Sequence, residues 1–185
     1  MLNWKRIIII IIFIMLIVGI IMGVCSIVKN KKNNIIEYIP QEEISEEQLR
    51  QTMVTLYFIK DNEVVPEVRL IDVKELINNP YEKVINLLIS GPKNNNFEKT
   101  IPEGTKINKI EKNGDILIID FSSEFINNIL GGENKEKLII ESIVKTLTEL
   151  TEINGIKILI NGEENKSFKN GKIKFNEVFN RNFQN

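Results

Sequence analysis

Two carboxylates, Asp120 and Glu124, directly follow an apolar run near the middle of the chain. Paired carboxylates can act as general acid and base in the hydrolysis of a glycosidic bond. The alternative is structural: Asp120 marks the end of a strand, and Glu124 lies in the first turn of a helix, where negative charge is favourable. We expect the structural role and predict no catalytic residues.

Ser122 and Ser123 lie between these carboxylates and are the next candidates for chemistry. A serine nucleophile needs a neighbouring base, and the chain contains no histidine. No Ser-x-x-Lys sequence begins at either serine. Serine is favoured at helix N-caps, so we predict that Ser122 and Ser123 cap a helix that begins near Glu124.

The stretch "ISGPKNNNFEKTIPEGTKI", residues 89–107, combines a Gly-Pro pair with a polar loop. It lacks the Gly-Lys-Ser/Thr sequence with which a phosphate-binding loop holds nucleotide and magnesium. The acidic cluster of residues 42–47 likewise lacks the spacing of an EF-hand calcium loop. We therefore predict no cofactor and no metal.

Composition narrows the classes of partner. The chain has 185 residues, a formal net charge of −1 and one cysteine. A chain without a basic field is not expected to bind nucleic acid, and one cysteine forms no intrachain disulfide. The length fits one domain with appendages.

The N-terminal region has the pattern of a membrane anchor. Ile7–Val28 is a run of 22 residues without charge, and as a helix it would be roughly 33 Å long, enough to cross a hydrocarbon core. We predict a cytoplasmic segment over residues 1–6, a transmembrane helix over residues 7–28 and a polar stalk over residues 29–52. Val24 before Cys25 fits a lipoprotein signal poorly, so we expect a retained anchor rather than lipidation of Cys25.

Alternating and helical patterns begin after the stalk. Strands are predicted over residues 53–60 and 64–73, the second at a sheet edge because of Pro66. A helix is expected from Pro80 to Ser90, with Gly91 in a left-handed C-cap conformation and Pro92 preventing continuation.

The second half of the domain repeats the arrangement of two strands followed by a helix. Asn113-Gly114 predicts a type I′ hairpin turn that leads into a central strand over residues 116–121. The longest helical pattern starts at Asn134 and is expected to end at Asn154-Gly155. A strand over residues 156–160 follows, and then a C-terminal hairpin or tail.

These elements predict an α+β domain over residues 53–178, with a tail over residues 179–185. Two helices should pack on one face of a mixed or antiparallel sheet of about five strands, forming two layers. The predicted core consists of Leu56, Phe58, Val84, Leu88, Ile118, Phe121, Ile143 and Leu147.

Short motifs in a fixed order give the domain a family resemblance. They run from "VTLYF" through "VINLLISGP", "TIPEGTKI" and "ILIIDFSSEF" to "IKILINGE", and together they resemble the GerMN domain. The residues that carry the resemblance are Gly91, Pro92, Pro102, Gly104, Thr105, Asp120, Phe121, Ser122, Thr146, Leu147, Thr148 and Gly162. Asn161-Gly162 stands where the family commonly has Asp-Gly, and one copy of the domain is present, whereas the family's namesake resembles a tandem pair.

The resemblance implies a domain outside the cytoplasmic membrane of Gram-positive, often endospore-forming, bacteria. It implies no catalytic residues, and a fold similar to the ring-building domains of envelope-spanning sporulation complexes. Residues after Val28 would then face outside, and the motif residues would serve the fold. The expected function is a single-pass membrane scaffold of sporulation or germination that binds envelope proteins or itself. Binding of cell wall or a small ligand, and wall hydrolysis by Asp120 and Glu124, are the alternatives.

Overall fold

The computed structural model describes residues 50–169 and 171–183, together with Trp4, Met15, residues 17–20 and Met22. The chain divides into two compact units, Met1–Glu43 and Ile44–Asn185. The described residues of the first unit are helical and exposed. Among all described residues, no helix is long and apolar enough to cross a membrane. Most of the predicted anchor, including Cys25, and nearly all of the predicted stalk lie outside the described residues.

The second unit opens with an antiparallel hairpin of β1 (Gln51–Lys60) and β2 (Glu63–Asp72). Asp61 and Asn62 connect the strands with φ angles of 51° and 62°, the signature of a type I′ turn. Within the described part of the chain, β2 pairs with β1 alone, so the predicted edge position of Pro66 is confirmed. Strand β1 begins at Gln51, before the domain start predicted from the sequence.

Two helices follow, a short α1 (Lys74–Ile77) and α2 (Pro80–Ser90), and α1 was not predicted. Helix α2 has the predicted bounds, with Pro80 at its first turn. Gly91 has the expected positive φ of 89°, but its ψ of 176° is extended. The predicted left-handed helical cap is therefore wrong, and the chain leaves the helix in an extended direction at Gly91.

Strands β3 (Ile107–Asn113) and β4 (Ile116–Phe121) form a second antiparallel hairpin. Asn113 is the last residue of β3, so the two linking residues are Gly114 and Asp115 rather than Asn113 and Gly114. Gly114 has a φ of 63°, and it is the one residue of this turn with a positive φ. The predicted type I′ turn is wrong at this position, while the hairpin itself is confirmed.

Helices α3 (Glu124–Asn127) and α4 (Glu133–Leu147) come next, and neither has a side-chain N-cap. Ser123 occupies the N-cap position of α3, as predicted, but neither Ser123 nor Ser122 caps the helix through a side-chain hydrogen bond. Helix α4 ends at Leu147, seven residues before the predicted end at Asn154. At the C-cap residue Thr148 the backbone leaves helical geometry, with φ of −81° and ψ of 2°. The chain then continues in turns, and Leu150 N–H donates to Leu147 O.

Strands β5 (Gly155–Ile160) and β6 (Val178–Asn180) complete a four-stranded sheet in the order β3-β4-β5-β6. Strands β4 and β5 are parallel, and the other pairs are antiparallel. The mixed α+β class and the central position of β4 are confirmed. The single sheet of about five strands is wrong, because the described strands form one sheet of two and one of four.

One hydrophobic core joins both sheets to the two longer helices. Seven of the eight predicted core residues belong to it, and Ile118 does not. Side chains alternate along a strand, so Leu117, Ile119 and Phe121 share the buried face of β4 while Ile118 lies on the other. The sequence prediction missed the phenylalanines that close one end of the core: Phe125, Phe168, Phe175 and Phe179.

Candidate functional site

The loop after Gly91 is held by two charged side chains of β2. Arg69 donates hydrogen bonds to Gly91 O at 2.6 Å and to Glu67 Oε1 at 2.8 Å. Glu67 in turn accepts from the backbone N–H groups of Lys93 and Asn94, at 3.1 and 2.9 Å. The side chains of Arg69 and Glu67 are only 5% and 11% exposed. This buried ion pair therefore ties the edge strand to the end of α2.

The electrostatics of the pair argue against a phosphate site in the loop. Burial by itself raises the pKa of Glu67, but hydrogen bonds from the loop N–H groups and from Arg69 lower it by more. The net pKa of Glu67 lies below the ordinary value of glutamate, so the carboxylate stays ionised near neutral pH. Loop N–H groups that already face a carboxylate are not available to an anionic ligand.

Pro102, Gly104 and Thr105 form a tight turn ahead of β3. Thr105 donates to Pro102 O twice, from its N–H at 3.3 Å and from its hydroxyl at 2.7 Å. Gly104 has a φ of 81° at the third position of this turn, where a type II turn requires a positive φ. The Asn128 amide donates to Glu103 O at 2.8 Å and ties the turn to the end of α3.

Asp120, Phe121 and Ser122 join β4 to two neighbouring segments. Asp120 Oδ1 accepts from Gly162 N–H at 2.9 Å and holds the turn after β5. Ser122 Oγ accepts from Lys106 N–H at 3.0 Å, and Ser122 N–H donates to Lys106 O at 2.9 Å. Phe121 is fully buried and stacks on Phe125, with ring centroids 4.5 Å apart.

Asp120 and Glu124, the alternative hydrolytic pair, do not have the features of a general acid and base. A catalytic carboxylic acid needs a raised pKa to remain protonated near neutral pH. The pKa of Glu124 is instead lowered, chiefly by a hydrogen bond from the Ser122 side chain. Asp120 is already engaged by the Gly162 N–H. Among the described residues, no group of three or more His, Cys, Asp and Glu side chains could hold a metal ion.

Thr146, Leu147 and Thr148 attach the end of α4 to three parts of the domain. Thr146 Oγ1 accepts from Tyr57 N–H in β1 at 2.9 Å. Leu147 is fully buried in the core. Thr148 accepts from Arg181 twice, through Oγ1 and through its carbonyl, each at 2.7 Å. The motif residues thus bond to backbone groups and pack in the core, and two pairs of them, Thr105–Pro102 and Gly162–Asp120, are in direct contact.

Three exposed apolar side chains of the second unit lie together on the β1–β2 hairpin, and the sequence analysis did not single out these residues. Met53, Val68 and Leu70 are 71%, 59% and 64% exposed. Met53 is paired with Leu70, and Val68 with Thr55, so these side chains share one face. We call this surface, with Met53, Val68 and Leu70, the hairpin face.

The alternation along β2 runs opposite to the usual rule. Val68 and Leu70 face solvent, whereas Glu67 and Arg69 face the interior. Alternation alone predicts apolar residues inward and charged residues outward. The alternation of charged and apolar residues along β2 is therefore the signal that could have located the hairpin face. The charged residues face inward, because Glu67 and Arg69 contact the loop after α2, and the apolar residues therefore face outward.

A surface cavity of about 440 Å³ lies between the segment 98–103 and the loop that joins α3 to α4. Ile101, Ile129 and Ile139 give it an apolar lining, and Leu130, which is 89% exposed, stands at its edge. Thr100 also lines it, and its buried hydroxyl has no hydrogen-bond partner among the described residues. An apolar cavity with a buried hydroxyl can hold a small, mostly apolar group.

A family model described as Germane, sporulation and spore germination, matches residues 55–166. The matched range contains every motif residue named above and runs from β1 past β5. The chain belongs to this family. The resemblance to GerMN domains drawn from the short motifs is thereby confirmed.

A curated protein and solved structures both support the Germane assignment. The spore germination protein GerM of Bacillus subtilis (strain 168) is 36% identical over 77 residues, which is 42% of this chain and 20% of GerM. The chain thus spans about a fifth of the length of this curated relative.

The first GerMN domain of the sporulation protein GerM from Bacillus subtilis matches in structure with a TM-score of 0.59 and 27% identity. The match covers 70% of this chain and 98% of that domain. The tandem GerMN domains of the same protein match with a TM-score of 0.59 and 24% identity, over 72% of this chain and 46% of that one, which supports the fold alone. The Germane domain here therefore corresponds to one GerMN unit.

Proposed function

We propose that this chain is a membrane-anchored, extracytoplasmic GerMN-domain protein with a non-catalytic scaffold role in sporulation or spore germination. The observation that carries the proposal is the hairpin face, an exposed apolar surface on a domain of the Germane family. Apolar surface that remains exposed on a folded domain commonly marks a site of protein–protein contact. The partners would be envelope or sporulation-complex proteins, or further copies of this chain.

The uncharged run of residues 7–28 supports the membrane anchor. A helix of this length could cross the cytoplasmic membrane, and residues 29–52 would serve as the stalk. Membership of the Germane family supports a domain that faces outward. The localisation proposed is a single-pass membrane protein whose domain lies in the cell-wall space or the intermembrane space of the developing spore. The net charge of −1 favours protein partners over nucleic acid.

The engagement of the motif side chains supports a structural role for them. Asp120, Ser122 and Thr146 each accept a hydrogen bond from a backbone N–H of another segment. Side chains committed in this way stabilise the fold and are poorly placed to act on a substrate. We therefore assign the motif residues to the fold and the interaction to the hairpin face.

The deciding experiment is a deletion strain taken through sporulation, scored for heat-resistant spores and then for germination rate. The proposal predicts a defect in one of these stages that the intact chain restores. A variant with Met53, Val68 and Leu70 replaced by serine should fail to restore it while remaining folded and at the membrane. Normal spores with normal germination in the deletion strain would contradict the proposal.

Binding of a wall component or small ligand is the second candidate, and the cavity beside Leu130 favours it. The cavity combines an apolar lining with the buried Thr100 hydroxyl, which a ligand could engage. Retention of the purified protein on isolated cell walls, abolished by Ile129→Asp but not by Val68→Ser, would favour this candidate. Under the scaffold proposal, capture of a partner protein should be abolished by Val68→Ser but not by Ile129→Asp.

A further inference from the structure

The two edges of the β1–β2 hairpin differ in their backbone hydrogen bonds. On the β1 side, Tyr57 N–H donates to Thr146 Oγ1, Ser142 Oγ donates to Tyr57 O, and Ile59 O accepts from Glu98 N–H at 2.7 Å. On the β2 side, no backbone hydrogen bond reaches the outer edge from residues 50–169 or 171–183. An edge strand with open backbone groups is a template for pairing with another strand.

The ladder identifies the backbone groups that point outward. Tyr57 gives its N–H and C=O to α4, so the Tyr57–Pro66 pair is not hydrogen-bonded across the hairpin. Hydrogen-bonded and non-hydrogen-bonded pairs alternate in an antiparallel ladder, so the N–H and C=O groups of Val68 and Leu70 also point away from β1. These are the same residues whose side chains form the hairpin face.

The sequence of β2 is complementary to itself. In Pro66-Glu67-Val68-Arg69-Leu70, antiparallel pairing about Val68 places Glu67 opposite Arg69 of a second copy. It also brings Val68 opposite its counterpart and Leu70 opposite Pro66. A shift that centres the pairing on Glu67 or on Arg69 would instead place like charges opposite each other, which is unfavourable. Glu67 and Arg69 already form an ion pair within each copy. The Val68-centred pairing would set the two ion pairs side by side with unlike charges adjacent, which favours this register.

We infer that β2 is a homotypic interface, where two copies of this chain pair their β2 strands antiparallel about a two-fold axis at Val68. Val68 N–H of each copy would donate to Val68 O of the other, and Leu70 N–H to Pro66 O. The two hairpins would form one four-stranded sheet, and the two hairpin faces would become one continuous apolar surface. An isologous contact of this kind closes at a dimer.

This inference rests on the proposed scaffold function, because anchoring in one membrane raises the effective concentration at which two copies meet. The first partner of the hairpin edge would be a second copy of this chain. The joined apolar surface would then be available to a further envelope protein. Loss of pairing and loss of the sporulation role are separate outcomes and are measured separately.

The test is disulfide cross-linking of the full chain in membranes, with Cys25 replaced by serine. In the predicted register the two Val68 Cα atoms would be about 5.5 Å apart, within the range a disulfide spans. Val68→Cys should therefore give a covalent dimer on mild oxidation. Leu130→Cys is the control at a loop residue that is more exposed than Val68, 89% against 59%, and it should give at least tenfold less dimer.

A second pair of variants tests the register. Pro66→Cys and Leu70→Cys should each fail to dimerise alone, since each cysteine would be offset from its counterpart by about 13 Å along the strand. Co-expressed with different tags, they should cross-link to each other. Adding Leu70→Lys to the Val68→Cys chain should suppress its dimer, because lysine on an edge strand opposes pairing.

Three results would overturn the inference: no dimer from Val68→Cys, equal dimer from Leu130→Cys, or cross-linking of Pro66→Cys to itself. Val68→Cys cross-linked to a different protein would replace the second copy with another partner. If cross-linking succeeds while the deletion strain sporulates and germinates normally, the pairing stands and the proposed function fails. If the deletion strain is defective and Val68→Cys gives no dimer, the function stands and the pairing fails.

Discussion

The backbone N–H of Tyr57 donates to Thr146 Oγ1 at 2.9 Å, although the two residues are 89 positions apart in the chain. On the same residue, Tyr57 O accepts from Ser142 Oγ at 2.5 Å. Ser142 and Thr146 are one helical turn apart on α4, so both hydroxyls face β1. The helix thereby takes the place of a further strand and leaves β2 as the open edge of the hairpin.

Thr146→Val should destabilise the domain by about 1–3 kcal/mol. Valine keeps the shape of threonine but removes the acceptor, which leaves the Tyr57 N–H unsatisfied beneath the helix. The measurement is urea unfolding of residues 44–185, monitored by circular dichroism. Ser90→Ala is the control, because the Ser90 hydroxyl donates to Leu87 O at an exposed helix end. Equal losses for the two variants would contradict this role of Thr146.

Glu67→Gln should cost about 3 kcal/mol at pH 7, because it leaves Arg69 buried without its counter-ion. The folded-state pKa of Glu67 is lowered, so its contribution is fully present above the ordinary value of 4.5. That contribution is lost as pH falls through the folded-state pKa. Stability of the intact domain measured from pH 7 to pH 2 should therefore fall on the acid side, and Glu67→Gln should make this fall smaller.

The exposed pair Lys109–Glu111 provides the control for Glu67. The pKa of Glu111 is also lowered, by the hydrogen bond and charge of Lys109, but both side chains are exposed. Salt screens exposed charges and affects buried pairs much less. Glu111→Gln should leave unfolding at 0.5 M salt unchanged within error, whereas the loss from Glu67→Gln should persist. A Glu67 effect that vanishes in salt would place this pair among weak surface contacts.

The local patterns of the sequence predicted the elements well, because strand alternation and helical periodicity reflect neighbours in the chain. Helix α2 has its predicted bounds, and β4 is the central strand that was expected. Helix α4 ends earlier than predicted, at the C-cap residue Thr148, whose carbonyl accepts a hydrogen bond from Arg181, 33 positions away in the chain. No local pattern reports such a contact.

The hairpin face could not be predicted for the same reason. Glu67 and Arg69 turn inward because the loop after α2 supplies backbone partners on that side. Val68 and Leu70 are then forced outward by alternation. The position of the loop depends on the whole fold. Alternation alone would predict that Val68 and Leu70 face the core, but in the structure they face solvent. The candidate site is thus a consequence of tertiary contacts.

The register of β4 gives a direct test of the corrected core. Ile119 is fully buried and Ile118 is only partly buried on the opposite face. Ile119→Ala should cost about 2–5 kcal/mol, the usual range for removing a buried isoleucine side chain. Ile118→Ala in the same strand should cost clearly less in the same urea titration. A larger loss at Ile118 would mean that the strand presents the other face to the core.

The last seven residues were predicted to be a tail, yet Phe179 is 3% exposed and lies in β6. Its ring meets Phe175 and Phe183 edge-on, with centroids 6.4 and 4.9 Å apart. Phe179→Ala should therefore cost about 3–5 kcal/mol. Val178→Ala, at the more exposed neighbouring position, should cost much less in the same unfolding measurement. If a fragment that stops before Val178 unfolds at the same urea concentration as residues 44–185, β6 contributes nothing to the core and the segment is a tail after all.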